Sequence, residues 1–150
     1  MKFISHRGNI HGREIESENQ PRKIEECLDL GYEVEVDVWG IDGNLFLGHD
    51  KPDYQVHIDF LQREKVWCHA KNFEALTIFA NNPKIHYFWH QEDDYTITSH
   101  GIIWVYPGKS LPIGSICVMP ERASYSYDQL KSCLGICSDN ISSFRERFTK

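Results

Sequence analysis

Short β-rich apolar runs alternate with helical stretches along the chain, without an internal repeat, low-complexity tract or linker. This alternation is typical of β/α units around a parallel sheet. The pattern predicts about seven core strands, over residues 3–6, 32–39, 66–70, 86–90, 102–106, 115–119 and 135–138. Helices are predicted over 20–30, 73–80, 127–133 and 142–148, the first with Pro21 in its first turn and Gly31 at its end.

The strand at 32–39 alternates strictly, so its two faces differ in character. One face carries Val34, Val36 and Val38, and the other carries Glu33, Glu35, Asp37 and Trp39. In a half-buried strand the acidic face is solvated, which is the default interpretation. In a closed barrel it would point inward, where carboxylates require a metal ion or a proton. The pattern leaves both interpretations open.

The length of 150 residues indicates one domain, and 41% hydrophobic residues allow a real core. A complete eight-stranded β/α barrel takes about 250 residues. The segments between the fourth, fifth and sixth strands are also too short for full helices. We therefore expect an α/β fold of the TIM-barrel type that is reduced or incomplete. An open barrel edge would make a homodimer possible.

Charge, cysteine content and hydropathy restrict the function classes. The net charge of −6 disfavours a non-specific nucleic-acid partner but allows a small phosphate ligand. Five cysteines without a CxxC pair favour reduced thiols, with Cys68 and Cys117 in the core. The first residues turn polar too early for a signal peptide, and no apolar run approaches the roughly 20 residues of a membrane span. These features predict a cytoplasmic protein.

Polar side chains lie at or just beyond the ends of the predicted strands. In β/α barrels the carboxyl ends of the strands build the active site. The residues in question are His6 and Arg7, Glu35 and Asp37, His49 and Asp50, His69 and Lys71, and His90 and Glu92. This placement predicts that several of them meet in one pocket.

The motifs His6-Arg7-Gly8, Glu18-Asn19, Glu35-Val36-Asp37 and Gly48-His49-Asp50, in this order and spacing, resemble the N-terminal signature of glycerophosphodiester phosphodiesterases. Cys137-Ser138-Asp139-Asn140 is similar to the Thr-Asp-Asn/Pro motif that closes the family's last strand. The likeness is specific in the N-terminal third, suggestive at the C-terminus and nearly absent between. It implies a single barrel domain of the phosphatidylinositol-phospholipase-C-like (PI-PLC-like) phosphodiesterase superfamily, covering 1–150.

The resemblance also implies roles for individual residues. His6 and His49 would be the general acid and base, which suits imidazoles near pH 7. Arg7 and Lys71 would bind the phosphate. The metal ligands would be Glu35, Asp37, His69 and Glu18, although Glu18 could instead orient a ligand. Asn19 would fix its loop or cap the following helix.

His69 departs from the family pattern, which has a carboxylate two residues before the lysine. The family's oxygen ligands imply Mg²⁺ or Ca²⁺, whereas an imidazole shifts the preference towards Mn²⁺ or Zn²⁺. The resulting hypothesis is a metal-dependent hydrolase of a small glycerophosphodiester-like substrate, with a place in lipid metabolism. The alternative is a non-catalytic barrel remnant that binds a phosphate ligand. A third alternative is that the acidic face is solvated and the motifs are accidental.

The remaining histidines and aromatic residues are interpreted structurally. His11, His57, His86 and His100 are read as structural or surface residues, and 92–94 as a solvated acidic loop. Singly, His69 and His90 would be read in the same way. Three aromatic residues that alternate along strands are expected in the core, although one could line a ligand pocket: Trp89, Trp104 and Tyr106.

Overall fold

The computed structural model describes residues 1–150, in which ten strands and five α-helices alternate. The strands are β1 Lys2–His6, β2 Glu33–Ile41, β3 Asn44–Leu47, β4 Tyr54–Val56, β5 Val66–Ala70, β6 His86–Phe88, β7 Tyr95–Ile97, β8 Ile103–Val105, β9 Ile116–Val118 and β10 Gly135–Ser138. The helices are α1 Pro21–Asp29, α2 Ile58–Leu61, α3 Phe73–Ala80, α4 Tyr127–Lys131 and α5 Ile141–Thr149. The predicted α/β class is confirmed.

Parallel pairing joins seven strands in the order β6-β5-β2-β1-β10-β9-β8. These are the predicted core strands, with ends that differ by one or two residues. Antiparallel β3 and β4 extend β2 on one side, and antiparallel β7 pairs with β8. Four elements are absent from the prediction, β3, β4, β7 and α2, and each is only three or four residues long.

No strand pairing joins the terminal parallel strands, β6 and β8, but side chains of the two strands are in contact. The Phe88 and Trp104 rings are 4.7 Å apart between centroids. The β7 segment also bonds to the β6 segment, since Ser99 N donates to the Tyr87 carbonyl at 2.7 Å. Side chains and single hydrogen bonds therefore connect the two ends of the parallel series.

Two apolar clusters cover opposite faces of the sheet. The larger one packs Val34, Val36 and Val38 against helical residues such as Ile24 and Phe79. The smaller one lies on the other face and consists of Ile4, Trp67, Phe88, Trp104, Ile116 and Cys137. Both faces of β2 are consequently buried, whereas a strand with this alternating pattern usually exposes its polar face to solvent.

The default expectation of a solvated acidic face is wrong at its centre. Glu35 is 2% exposed and Asp37 is fully buried. The partners of these residues in β5 are Trp67 and His69, which therefore point to the same side of the sheet. The acidic pair lies against the smaller cluster and not in bulk water.

A tight contact between β2 and α3 fixes the position of the segment after β5. The Asn72 amide bonds to both backbone groups of Gly40 and also caps α3 by accepting from Ala75 N. A Cβ at Gly40 would lie 2.6 Å from Ala75 N, so glycine is needed for this approach. Lys71, directly before the cap, is thereby held near Asp37.

All five cysteines are buried and free, which confirms the core positions of Cys68 and Cys117. Burial raises the pKa of Cys68 and also raises that of Cys117 to about 12, so both thiols are protonated near neutral pH. No helix has the length and apolar character required to cross a bilayer.

Candidate active site

A cavity of about 460 Å³ opens where the parallel strands end. Six of the seven parallel strands each contribute at least one lining residue, among them His6, Glu35, His69, Phe88, Trp104 and Val118. This volume lies within the range of small-molecule sites in proteins. Of the eight sequence-predicted site residues, six line the cavity: His6, Arg7, Glu35, His49, His69 and Lys71. Asp37 and Glu18 lie behind this wall.

His6 is held by a carboxylate from the other end of the chain. Its Nδ1 donates to Asp139 Oδ1 at 2.7 Å, and its Nε2 lies 3.9 Å from Glu35 Oε2. Asp139 Oδ1 also accepts from Asn9 Nδ2 at 2.8 Å. Because the Nδ1 proton is bound to Asp139, neutral His6 carries its lone pair on Nε2.

The pKa values of His6 and Asp139 are both lowered, for different reasons. Burial lowers the pKa of His6, while the hydrogen bond and charge of Asp139 act in the opposite direction. Burial acts to raise the pKa of Asp139, but the hydrogen bonds from His6 and Asn9 help to keep it below its ordinary value. His6 is therefore neutral and Asp139 ionised near pH 7. The sequence analysis placed Asp139 in a motif but assigned it no role.

Glu35 and Asp37 share a face of β2, but their pKa values are shifted in opposite directions. Burial, with the charge of Asp37 added, raises the pKa of Glu35 well above its ordinary value. Burial also acts to raise the pKa of Asp37, but the hydrogen bond to His69 and the charge of Arg7 hold it well below the ordinary value. Asp37 is thus the fixed anion of the pair, and Glu35 takes up a proton more readily.

His69 presents Nδ1 to this acidic pair. Its Nε2 donates to the His90 carbonyl at 2.7 Å, and its Nδ1 lies 3.1 Å from Asp37 Oδ1 and 3.9 Å from Glu35 Oε1. The ring stacks on Phe88 at 5.0 Å with an interplanar angle of 10°. Because Nε2 donates to the backbone, Nδ1 donates to Asp37 when the ring is protonated and presents its lone pair to the carboxylates when the ring is neutral.

The group Glu35, Asp37 and His69 fits a divalent cation. One ligand atom from each residue lies within 4.8 Å of the others, a spacing that a single ion can bridge. Glu35 Oε2 is buried and makes no hydrogen bond in the protein, so it is free to bind a cation. The backbone bond of His69 is the support that metal-binding histidines usually have. The donor set of two carboxylates and one imidazole suits Mn²⁺ or Zn²⁺.

Glu18 does not join this group of ligand atoms. Its Oε2 accepts from Arg7 Nη1 at 3.1 Å, and its Oε1 accepts from Asn9 Nδ2 at 3.1 Å and Arg13 Nε at 3.0 Å. Glu18 therefore positions Arg7, which is not one of the predicted metal ligands.

Part of the Arg7 guanidinium group is engaged in internal ion pairs. Besides its bond to Glu18, its Nε lies 2.8 Å from Asp37 Oδ2, with an angle outside hydrogen-bond geometry. These contacts leave Nη2 as the main group for an anion in the cavity. The guanidinium fork of Arg7 is thus available to a phosphate only in part.

Lys71 and His49 differ in how firmly they are held. Lys71 Nζ lies 3.4 Å from Asp37 Oδ1, and its side chain is only 17% exposed. The His49 side chain is 38% exposed at the cavity margin, and its Nδ1 pairs with Asp50 Oδ1 at 2.7 Å. His49 shares the cavity with His6, but its support lies on an exposed loop.

Asn19 stabilises the loop that precedes α1 and also contacts the acidic pair. Its amide donates to Asp37 Oδ2 at 3.1 Å and accepts from Asp37 N at 3.0 Å. Asn19 adopts a positive φ of 61°, a conformation that asparagine tolerates. The N-cap of α1 is Gln20, so the loop-fixing alternative holds and the capping alternative is wrong.

The remaining polar and aromatic predictions are largely confirmed. His11, His57 and His100 are exposed, His86 is buried against Thr98, and residues 92–94 are exposed. Trp104 is a core residue, but Tyr106 is 47% exposed and Trp89 is half-buried, so the core prediction is wrong for Tyr106. All three line the cavity, whereas the sequence interpretation allowed for one of them in a ligand pocket.

No model of a known protein family, no curated protein and no solved structure matches this chain. The likeness to glycerophosphodiester phosphodiesterases therefore rests on the motifs quoted above.

Proposed function

We propose that this protein is a metal-dependent phosphodiester hydrolase that acts on a small, glycerophosphodiester-like substrate. One observation carries the proposal: the His6–Asp139 pair and the cluster of Glu35, Asp37 and His69 open into the same cavity. A paired imidazole supplies acid–base chemistry, and the cluster supplies a cation site next to it.

We further propose that the seven parallel strands form a reduced β/α barrel closed between β6 and β8. The contact between the Phe88 and Trp104 rings and the hydrogen bond from Ser99 to Tyr87 support this closure. The position of the cavity at the carboxyl ends of the strands agrees with it, because β/α barrels place their active sites there.

His6 would act as the general base through Nε2. Asp139 fixes the tautomer and stabilises the imidazolium that forms when His6 takes the proton of the attacking hydroxyl. His49, at the margin of the same cavity, would donate a proton to the leaving alkoxide. The lowered pKa of His6 keeps it in the neutral, basic form near pH 7.

Lys71 and the Nη2 group of Arg7 would bind the phosphoryl oxygens. A divalent ion held by Glu35, Asp37 and His69 supplies Lewis-acid polarisation of the phosphoryl group. Glu18 and Asn19 keep Arg7 and Asp37 in place and need not touch the substrate. The buried free thiols favour a cytoplasmic location, and the homodimer suggested by the sequence stays a prediction.

The direct test is turnover by His6→Ala and His49→Ala with Mn²⁺, Zn²⁺, Mg²⁺ and Ca²⁺ in turn. Each variant should lose at least about 10²-fold in kcat with its thermal unfolding preserved, because acid–base groups contribute about 10²–10⁴-fold. His57→Ala is the matched control, since His57 is exposed and lies outside the cavity. Unchanged turnover in both variants would refute the proposal.

A second candidate, a phosphate-binding barrel remnant without catalysis, is favoured by one observation. Asp37 is already paired with Arg7 and Lys71, so a cation must compete with internal ion pairs. This alternative predicts that dimethyl phosphate binds, while no ester is hydrolysed with any of the four metals.

A further inference from the structure

Four aromatic side chains line the cavity, and they are called the aromatic wall below: Phe88, Trp89, Trp104 and Tyr106. At the floor, Phe88 stacks on His69 and lies 4.7 Å from the Trp104 ring. Trp89 and Tyr106, which directly follow β6 and β8, also line the cavity, and Trp89 packs in part against the larger apolar cluster. The Tyr106 ring is 47% exposed, so part of this surface is not covered by the protein.

The two outer rings also carry polar groups without internal partners. Neither Trp89 Nε1 nor Tyr106 Oη makes a hydrogen bond within the chain, whereas Trp39 Nε1 and Tyr95 Oη both bond to carbonyls. A ligand against this wall thus meets flat apolar faces edged by two hydrogen-bonding groups. Such a surface suits a planar ring better than a glycerol group, whose hydroxyls require more polar partners.

The charge of the cavity argues against a cationic group on this wall. Its lining contains Arg7, Arg13, Lys71 and Arg122 but only one carboxylate, that of Glu35. A quaternary ammonium group would gain cation–π attraction from the aromatic wall but would also face these cations. A neutral ring is not repelled.

We infer that the ester group beyond the phosphate carries a planar, uncharged aromatic ring, which lies on Trp89 and Tyr106. This inference rests on the proposed function for the position of the phosphate, which would bind at Lys71 and Arg7. The aromatic wall would thus select the substrate, and the substrates would be phosphodiesters in which one alcohol carries an aromatic ring.

Calorimetric titration of the His6→Ala variant, in which turnover is blocked, with four methyl phosphodiesters in the presence of Mn²⁺ tests the inference. The second alcohol is 2-phenylethanol, 2-cyclohexylethanol, glycerol or choline, so all four leaving groups are aliphatic alcohols. The phenylethyl ester should bind about 2- to 12-fold more tightly than the cyclohexylethyl ester, since aromatic pairs gain this much beyond burial of apolar area. Equal affinity of these two esters, or tightest binding of the choline ester, would overturn the inference.

Variants locate the discrimination on the wall. Trp89→Leu and Tyr106→Leu should each reduce the preference for the phenyl ring, whereas Tyr95→Leu should preserve it. Tyr95 is a matched control because it is 41% exposed and lies outside this cavity. A preference that persists in both wall variants, each checked for native thermal unfolding, contradicts the assignment.

Turnover measured with the same esters separates the two proposals. Ring preference in binding without turnover would refute the hydrolase and retain the ring-binding wall. Turnover without ring preference would do the reverse. Failure of every ester to bind would refute both.

Discussion

His6 Nδ1 donates a 2.7 Å hydrogen bond to Asp139 Oδ1, although the two residues lie 133 positions apart in the chain. The contact exists because β1 and β10 are parallel neighbours, with Ser5 paired to Ser138. The segments that follow the two strands therefore leave the sheet side by side. The carboxylate is anchored independently by Asn9 Nδ2 at 2.8 Å. The bond therefore determines both the tautomer and the orientation of the imidazole.

Asp139→Asn should reduce kcat by about 10²-fold or more. The amide has no charge with which to stabilise an imidazolium, and loss of the carboxylate removes a charge that raises the pKa of His6. The pH profile of kcat/KM should consequently shift its acidic limb to lower pH. Kinetics from pH 4 to 9 measure both effects.

Asp94→Asn is the control, because Asp94 lies in the exposed 92–94 loop. If Asp139→Asn lowers activity without moving the acidic limb, Asp139 supports the fold and does not tune His6. Thermal unfolding of the variant distinguishes these cases.

His69→Glu should change which metal the site prefers. A third carboxylate replaces the imidazole, so Mg²⁺ or Ca²⁺ should raise the melting temperature more than in the wild-type protein, and Zn²⁺ less. His69→Gln is the matched neutral control and should weaken binding of every ion. An unchanged order of metal-induced melting shifts would show that His69 is not a ligand.

Metal and anion binding should reinforce each other. Glu18 and Asp37 form ion pairs with Arg7, Arg13 and Lys71, and the charges of Arg7 and Lys71 also act on Glu35. A divalent ion adds positive charge, which a bound phosphodiester partly offsets. Dimethyl phosphate should therefore tighten Mn²⁺ binding about fivefold or more, within the usual range of coupling between sites.

The converse measurement must give the same factor, since coupling of binding equilibria is reciprocal. Titrations at matched ionic strength in chloride exclude general screening. Independent binding of the two ligands would mean that the anion does not approach the acidic pair.

Glu35→Gln should stabilise the metal-free protein at neutral pH. Glu35 has a pKa above its unfolded value, so between these two pKa values the folded state binds more protons and its stability falls as pH rises. The glutamine side chain does not ionise, so this loss of stability does not occur in the variant. Melting in EDTA at pH 7.5 should rise by about 2–4 °C for each kcal/mol gained.

Asp37→Asn should show the opposite sign. The pKa of Asp37 is depressed by its cationic partners, so its contribution is present above the unfolded pKa and is lost as pH falls. Its replacement should lower the free energy of unfolding at neutral pH. A destabilised Glu35→Gln protein would mean that Glu35 is already neutralised by another partner.

The sequence predicted the parallel strands well because their signals are local. Alternation in β2 and short apolar runs bounded by turns marked these strands to within two residues. The strands β4 and β7 were missed because runs of three residues, such as Tyr95–Ile97, carry no periodicity. Their formation depends on pairing with a neighbour and not on their own pattern.

The site was predictable only where its residues follow strand ends. His6, Glu35 and His69 were found in this way, and all three line one cavity. The internal pairing of Arg7 with Asp37 and the contact of Asp139 with His6 could not be derived, since both depend on side-chain packing across the sheet. The exposure of Tyr106 was likewise unpredictable, because alternation does not show where a strand leaves the core.

Gly48→Ala should impair turnover more than it impairs stability. Gly48 has a φ of +150°, and a Cβ there would lie 2.0 Å from the Lys51 carbonyl, so the loop carrying His49 must move. A displacement of about 1 Å can cost about 10²-fold in rate. Gly43→Ala is the matched control, because Gly43 also has a positive φ but has no atom within 4 Å of the added methyl. Both variants bear the backbone strain of an L-residue at positive φ, so a larger loss of kcat in Gly48→Ala reports the position of His49. An equal loss of kcat in the two variants would contradict a role for His49 that depends on its position in the loop.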